Sequence, residues 1–177
     1  MDLFLSRAGE EVKQIYGLMD KIKQSGVPVY QESRSPSCAP FAMRFSKFSE
    51  GAYDALVIAP ATANSVAKFA SGIADSLITN LFAQAGKFHV PIIVLPTDIA
   101  PEVYTQTPKK ESGVWVYPRW IDLENINRLR AFRDVTVVTS VEELNAHLEY
   151  LFRGRSYYDQ NSIHNGEAGR PGIGRHS

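Results

Sequence analysis

The residues best suited to chemistry in this sequence follow an apolar segment near the middle of the chain. Residues 55–59 form a continuous apolar run, which is typical of a strand covered on both faces inside a parallel sheet. Pro60 cannot donate a backbone hydrogen bond to a neighbouring strand, so we expect the strand to end there. Open α/β sheets bind ligands at the carboxyl ends of their strands, and small side chains there would let a flat ring approach the main chain. The turn after Pro60 has that composition, with Ala61, Thr62, Ala63, Asn64 and Ser65.

The same turn also has a purely structural interpretation. Thr62, Asn64 and Ser65 are residue types that cap a following helix, and one such cap typically contributes about 1 kcal/mol. The helix after the turn is expected to bury Val66 and Phe69 and to end at Gly72. Spacing alone therefore leaves both a capping role and a ligand-binding role open.

A second helix is predicted directly after this one. It should run from Ser76 to Lys87, with Asp75 as its N-terminal cap and an apolar stripe at the helical period. Another buried strand, residues 90–95, should follow it and end at Pro96, Thr97 and Asp98. The carboxyl ends of parallel strands meet at one edge of a sheet, so Thr97 and Asp98 are expected close to the Pro60 turn.

Length and composition limit the classes of function. The 177 residues are 44% hydrophobic, which suits one core at about 150 residues per domain. Nineteen basic and nineteen acidic residues balance, so we expect no nucleic-acid or membrane partner. Apolar runs are far shorter than the roughly 20 residues that span a bilayer, and no secretion signal opens the chain, so a cytoplasmic protein is expected. Cys38 is the single cysteine and cannot hold an iron–sulfur cluster, so redox chemistry would need an organic cofactor, and no metal site is predicted.

The remaining elements complete the predicted fold. Residues 2–5, 29–32 and 135–138 are further strands, and Ser6 should cap one helix whose buried stripe contains Val12, Ile15, Tyr16, Met19 and Ile22. Residues 99–113 are predicted as a loop, and the helix after it should have Asp122 as its cap. Strands alternating with helices predict an α/β domain over residues 1–153, a Rossmann-like (flavodoxin-like) three-layer αβα sandwich with a mostly parallel sheet. A last helix from Val141 to Phe152 would lead into a flexible C-terminal tail, residues 154–177.

Residues 33–49 are aromatic and basic and have two interpretations. They are either a packed surface loop or a rim that stacks on a planar substrate through Phe41, Phe45 and Phe48. Aromatic faces and nearby cations attract flat heterocycles, which is the basis of the second interpretation.

Residues 60–80, PATANSVAKFASGIADSLITN, resemble the signature of the homo-oligomeric FMN-binding flavoproteins. That family includes cysteine decarboxylases, flavin prenyltransferases and dihydromethanopterin reductases. Three other segments resemble its dihydromethanopterin reductase and archaeoflavoprotein branch, namely LSRAGEEV, FAQAGKFHVPIIVLPTD and VYPRWIDLENINRLRAFRDVTVVTSVEEL. Together these segments indicate a member of this branch over most of residues 2–151.

The resemblance implies FMN as the cofactor, held between subunits of a homo-oligomer built from trimers. It implies that the FMN-binding residues are Ser6, Pro60, Ala61, Thr62, Ala63, Asn64, Ser65, Lys68, Asp75, Ser76, Leu77, Thr79, Thr97 and Asp98. Relatives begin with an additional strand and a loop rich in Gly and Ser that leads into a helix whose amides hold the FMN phosphate. This chain starts at what resembles their second strand, so either its start is altered or the phosphate is held in another way.

The resemblance also implies a function. The expected activity is an FMN-dependent oxidoreductase that reduces dihydromethanopterin, or a related dihydropterin, to the tetrahydro form by hydride transfer. The electron donor would be reduced nicotinamide or a redox protein, and we name no catalytic residue of the chain because water or the flavin could supply the proton.

Three alternatives to this activity can be distinguished by their expected partner, cofactor or residues. An electron carrier would dock ferredoxin, with Lys109 and Lys110 as a weak docking patch, and a flavin-free structural subunit would lack the cofactor. A decarboxylase of the phosphopantothenoylcysteine type is less expected. Ser46 stands where those enzymes carry a histidine, and a serine does not titrate near pH 7.

Overall fold

The computed structural model describes residues 1–34, 39–46, 52–105 and 113–162. The chain forms two compact units, Met1–Thr139 and Ser140–Ser177. In the first unit the strands are β1 Leu3–Leu5, β2 Val29–Gln31, β3 Leu56–Ala61, β4 Ile92–Pro96, β5 Val103–Thr105, β6 Val114–Val116 and β7 Val135–Val137. Its helices are α1 Arg7–Ile15, α2 Met19–Gln24, α3 Ala39–Ala42, α4 Ala63–Ala70, α5 Leu77–Lys87 and α6 Trp120–Arg130, with a 3₁₀ turn at Met43–Phe45. The predicted Rossmann-like α/β fold is confirmed for this unit.

The parallel strands form two sheets within the described residues. One contains β3, β4 and β7 in that order, and the other pairs β1 with β2. The sequence predicted one mostly parallel sheet, but β1 and β3 share no hydrogen-bonded ladder in the part of the chain that the structure describes. β1 and β3 therefore each have one edge without a strand partner there, while Phe4 of β1 and Ile58 of β3 pack in the same apolar cluster.

The β3 strand differs from its prediction in two ways. The strand was predicted to end at Pro60. Instead, β3 continues through Pro60 to Ala61, because its register with β4 shifts between Ile58 and Ala61. It was also expected to be covered on both faces, yet Val57 is 40% exposed and Ala59 is exposed. Val57 and Ala59 share the face opposite Ile58, so one face of β3 is left without cover by the described residues.

The core of the first unit fixes the helices that carry the candidate site. Phe69 of α4 stacks on Phe82 of α5 with ring centroids 4.3 Å apart. Leu77 and Leu81 of α5 and Leu129 of α6 are fully buried in the same cluster. Burial of a side chain of this size stabilises the fold by roughly 1.5–3 kcal/mol. The N-termini of α4 and α5, at Ala63 and Leu77, are therefore fixed by the packing of these helices.

The predicted first helix is two helices. The break lies at Gly17, whose φ of +62° is in the left-handed region that glycine adopts without strain. The predicted buried stripe is wrong, because Ile15 and Tyr16 are about half exposed, at 49% and 53%. Val12 and Met19 are also exposed, and the buried side chain of α1 is Lys13.

The prediction that residues 33–49 form an aromatic rim for a substrate is wrong for Phe41 and Phe45. Both rings are in the core, with Phe45 only 1% exposed. Phe41 packs edge-on against Phe4 and Tyr30, with ring centroids 4.8 Å and 4.5 Å apart. Phe48 lies outside the described residues, as do Cys38, Lys109 and Lys110.

A small polar cluster ties β1 to the segment before β3. Asp2 accepts hydrogen bonds from Arg44 and from the Tyr53 hydroxyl, and the Arg44 guanidinium lies 4.3 Å from the centroid of the Tyr53 ring. Burial, together with the hydrogen bond to Asp2, raises the pKa of Tyr53. The cluster thus links two segments that no strand ladder joins among the residues that the structure describes.

Replacing Tyr53 with phenylalanine should lower the free energy of unfolding by about 1–2 kcal/mol, because a partly buried carboxylate loses a hydrogen-bond donor. Chemical denaturation at neutral pH measures this change. The raised pKa of Tyr53 gives a second signature, since its contribution is complete below the ordinary value of 10.0 and is lost at higher pH. Equal stabilities of Tyr53→Phe and the unchanged protein at pH 7 would contradict the proposed link.

The region after β4 contains more structure than expected. Residues 99–113 were predicted as a loop, but Val103–Thr105 pairs antiparallel with Val114–Val116. The α6 helix begins at Trp120, earlier than predicted, with Arg119 at the capping position. Asp122, predicted as the cap, lies in the first turn and its carboxylate binds the Arg119 backbone and guanidinium instead.

The second unit contains α7, Val141–Ser162. The backbone N–H of Glu143 donates to Ser140 Oγ at 3.1 Å, which places Ser140 as the cap. The helix is longer than predicted, since its backbone continues past Phe152, so the flexible tail stays a prediction for residues 163–177. Among the described residues, no helix has the length and apolar character needed to cross a membrane.

Candidate functional site

The predicted ligand turn lies where β3 and β4 end side by side. The Ala61 carbonyl accepts hydrogen bonds from the Thr97 backbone N–H at 3.0 Å and from the Thr97 hydroxyl at 3.4 Å. That hydroxyl is also 2.9 Å from Asp98 Oδ2. The structure therefore brings Thr97 and Asp98 against the Pro60 turn, as predicted. We call Pro60–Ser65 together with Thr97 and Asp98 the ledge.

The ledge has a capped helix and one unused amide. Thr62 is the N-terminal cap of α4, since its hydroxyl accepts a hydrogen bond from the backbone N–H of Ser65 at 3.4 Å. The Thr62 and Ser65 hydroxyls are 3.2 Å apart. Asn64 is exposed, and no described residue hydrogen-bonds its side chain. The capping interpretation is thus confirmed for Thr62, while the Asn64 amide is available to a ligand.

Side chains on the ledge are small or exposed. Pro60, Thr62, Asn64 and Thr97 are exposed, and Ala61 is buried under the turn with 1% exposure. No residue from 59 to 65 has a side chain larger than asparagine. A flat ring system could lie against the main chain here, next to hydroxyl and amide groups that can hydrogen-bond its edge.

Lys68 and Asp75 form an ion pair beside the ledge. Lys68 Nζ lies 2.9 Å from both carboxylate oxygens of Asp75. The hydrogen bond from Lys68 is the main cause that lowers the pKa of Asp75. Asp75 was predicted to cap α5, but it pairs with Lys68 and the cap is Ser76. The pair links α4 to the segment that leads into α5.

Replacing Lys68 with methionine should raise the pKa of Asp75 toward its ordinary value of 3.8, because the main hydrogen bond to the carboxylate is lost. Carboxyl chemical shifts followed by NMR between neutral and strongly acidic pH measure this change. The lowered pKa means that the contribution of the pair is complete above 3.8 and is lost as the pH falls further. Both side chains are partly exposed, so little change in stability is expected at neutral pH. An unchanged Asp75 titration in this variant would show that the pair does not persist in solution.

The start of α5 is fixed by a capping box. The Ser76 hydroxyl accepts from the Thr79 backbone N–H at 3.3 Å, and the Thr79 hydroxyl accepts from the Ser76 backbone N–H at 2.9 Å. Leu77 is fully buried and Thr79 is 2% exposed. Neither side chain is presented to a ligand within this chain, and the cofactor-binding role of Ser76, Leu77 and Thr79 stays a prediction.

Glu32 connects the N-termini of α1 and α5. It was not identified from the sequence as a site residue. Its carboxylate accepts hydrogen bonds from the backbone N–H of Arg7 at 3.0 Å and of Leu77 at 2.9 Å. Carboxylates are favoured at helix N-termini, where backbone N–H groups lack partners. Ser6 caps α1 through the Gly9 N–H at 3.0 Å, as predicted. Glu32 therefore brings the Ser6 end of β1 to the start of α5.

Comparison with known proteins gives a family. The family model described as Flavoprotein matches residues 2–151. A dihydromethanopterin reductase (acceptor) from Methanosarcina mazei is 42% identical over 113 residues, which cover 61% of this chain and 46% of that protein. A protein with the same name from Methanocaldococcus jannaschii is 42% identical over 106 residues, which cover 57% of this chain and 42% of the relative. The chain thus spans about half the length of these curated relatives.

A solved structure extends the match over most of the fold. Burkholderia xenovorans DmrB in complex with FMN, described as a cubic protein cage for redox transfer, is 40% identical. The match has a TM-score of 0.74 and covers 88% of this chain and 82% of that chain. A cysteine decarboxylase from thioviridamide biosynthesis, at 20% identity and a TM-score of 0.52, shares the fold. From the extent of the family match, the chain belongs to the flavoprotein family.

Proposed function

We propose that the chain binds FMN on the ledge and acts as an FMN-dependent oxidoreductase that reduces dihydromethanopterin or a related dihydropterin. The observation that carries the proposal is the ledge itself, where small side chains, hydroxyl groups and the Asn64 amide, which no described residue hydrogen-bonds, follow a strand end. Relatives named dihydromethanopterin reductase, at 42% identity, and an FMN complex of DmrB, at 40%, support it.

The residues of the ledge have distinct roles in this proposal. Ala61 and Ala63 leave room for the ring, and Asn64 and Thr62 hydrogen-bond its polar edge and hold it in one orientation. Thr97 fixes the ledge from β4 through the Ala61 carbonyl. When bound, the flavin supplies the hydride chemistry that no side chain of this site provides.

Further parts of the proposal concern subunits and reductant. We place Ser6 and Lys68 around the same cofactor, and the residues at the start of α5, Asp75, Ser76, Leu77 and Thr79, in the cofactor site of a neighbouring copy. A homo-oligomer built from trimers is consistent with this placement, and the DmrB relative is described as a cage. The electron donor is reduced nicotinamide or a redox protein.

The visible spectrum of the purified protein tests the first step. Flavin absorbance bands, retained after gel filtration, are expected. A colourless protein that stays colourless after incubation with FMN would overturn the proposal and favour a structural subunit.

Stopped-flow absorbance tests the reaction. The protein is reduced, mixed anaerobically with dihydropterin, and compared with a mixture that receives the tetrahydro product. Reoxidation of the flavin by dihydropterin alone is expected. If the reduced protein reacts with oxidised ferredoxin and leaves dihydropterin unchanged, it is an electron carrier.

A decarboxylase receives no support from the structure. Ser46, at the position where the decarboxylases of this family carry a histidine, is buried with 9% exposure. A hydroxyl in that place cannot exchange protons near neutral pH as an imidazole does.

A further inference from the structure

A cavity of about 470 Å³ lies between α1, α2 and β2. Its walls include Lys13, Lys23 and Arg34 as well as Met19 and Ile22. The volume is in the range of sites that hold small organic ligands, roughly 300–1,000 Å³. No ledge residue contributes to its lining, so the cavity is separate from the proposed flavin site.

Lys13 is the unusual residue of this cavity. It is only 7% exposed, although lysine is almost never buried without a partner. Among the described residues, none forms a hydrogen bond or ion pair with its amine. No buried side-chain nitrogen of the described residues lacks a hydrogen-bond partner, so the Lys13 amine is accessible to solvent, where an anion from outside the chain could bind it.

The charged side chains that line the cavity are positive. Lys23 and Arg34 add two cations to the lining, and no acidic side chain is among the described residues that form it. The Glu10 carboxylate lies outside the lining, where hydrogen bonds from the Ser33 hydroxyl at 2.7 Å and the Ser33 backbone at 3.0 Å, and to a smaller degree the charges of Lys13 and Arg34, lower its pKa. The cavity therefore combines three cations with an apolar wall.

We propose that this cavity binds a small organic phosphate, with the phosphate on Lys13, Lys23 and Arg34 and the organic part against Met19 and Ile22. A phosphate monoester matches both features, because it joins an anion with several acceptor oxygens to an apolar body. Because the cavity is separate from the ledge, its ligand is a phosphate ester other than the FMN bound there.

Isothermal titration calorimetry of the full chain with phenyl phosphate tests the site. Phenyl phosphate should bind, phenol should not, and added salt should weaken binding. Lys13→Met keeps the length of the buried side chain and removes its charge, so it should weaken binding about tenfold or more. Arg34→Gln, at an exposed position, should also weaken binding and serves if Lys13→Met does not fold. Lys21→Met removes an exposed cation of α2 that does not line the cavity and should leave binding unchanged.

The titration is then repeated with saturating FMN. Unchanged affinity for phenyl phosphate is expected, and competition by FMN would overturn the proposal of a separate site. The proposal is overturned if phenyl phosphate does not bind the unchanged chain. It is also overturned if folded Lys13→Met and Lys21→Met bind phenyl phosphate equally.

Discussion

Replacing Ala63 with phenylalanine is expected to give a folded protein that purifies with little or no flavin. Ala63 is the first residue of α4 and follows the Thr62 cap directly, so a benzyl group there occupies the ledge. Overpacking of this kind costs about 1–3 kcal/mol, which corresponds to about 5- to 160-fold weaker binding. The helix itself should tolerate the change, because alanine and phenylalanine differ by less than about 0.7 kcal/mol in helix propensity.

The ratio of flavin absorbance to protein absorbance measures this effect, and thermal unfolding of the same sample reports the fold. Ala63→Ser is the matched control, since it changes polarity with little change in size and should keep the flavin. A folded Ala63→Phe protein with the flavin content of the Ala63→Ser protein would show that the ring does not lie on the ledge.

The second large effect is expected from Thr62→Asp, which should lower the reduction potential of the bound flavin while α4 stays capped. Aspartate is as good a helix cap as threonine, and its charge suits the helix N-terminus. The same charge lies beside the ring and disfavours the electron-rich reduced form. A penalty of about 1.4 kcal/mol, modest for charges a few ångströms apart, corresponds to about 30 mV for a two-electron couple.

Spectroelectrochemical titration measures that potential in Thr62→Asp, with Thr62→Ser as the control that keeps the hydroxyl. The serine variant should have the potential of the unchanged protein. Equal potentials in the aspartate and serine variants would place the flavin away from Thr62.

Local features of the site were predictable from the sequence because they depend on residues close together in the chain. The Thr62 and Ser6 caps each join positions three residues apart, and residue type is sufficient to identify them. The meeting of Thr97 with Ala61 spans 36 residues, but it follows from the rule that parallel strands end at one edge.

Features that depend on distant partners were not predictable in the same way. Glu32 binds N–H groups 25 and 45 residues away, and nothing in its local sequence indicates them. Phe41 and Phe45 lie in an aromatic and basic segment that suits an exposed rim, yet both are buried. Phe41 packs against Phe4 and Tyr30 of the β1–β2 sheet, and Phe45 packs against Tyr53. Asp75 and Ser76 are both good caps, and the position of Lys68 decides between them.

The strand edges of β1 and β3 have a consequence for handling the protein. Within the described residues each has one edge without a strand partner, and Val57 and Ala59 of β3 are exposed. Unpaired amides and carbonyls along an apolar strand are a template for intermolecular association. Concentrated preparations should therefore precipitate through association of these strand edges, and storage at low protein concentration is the practical remedy.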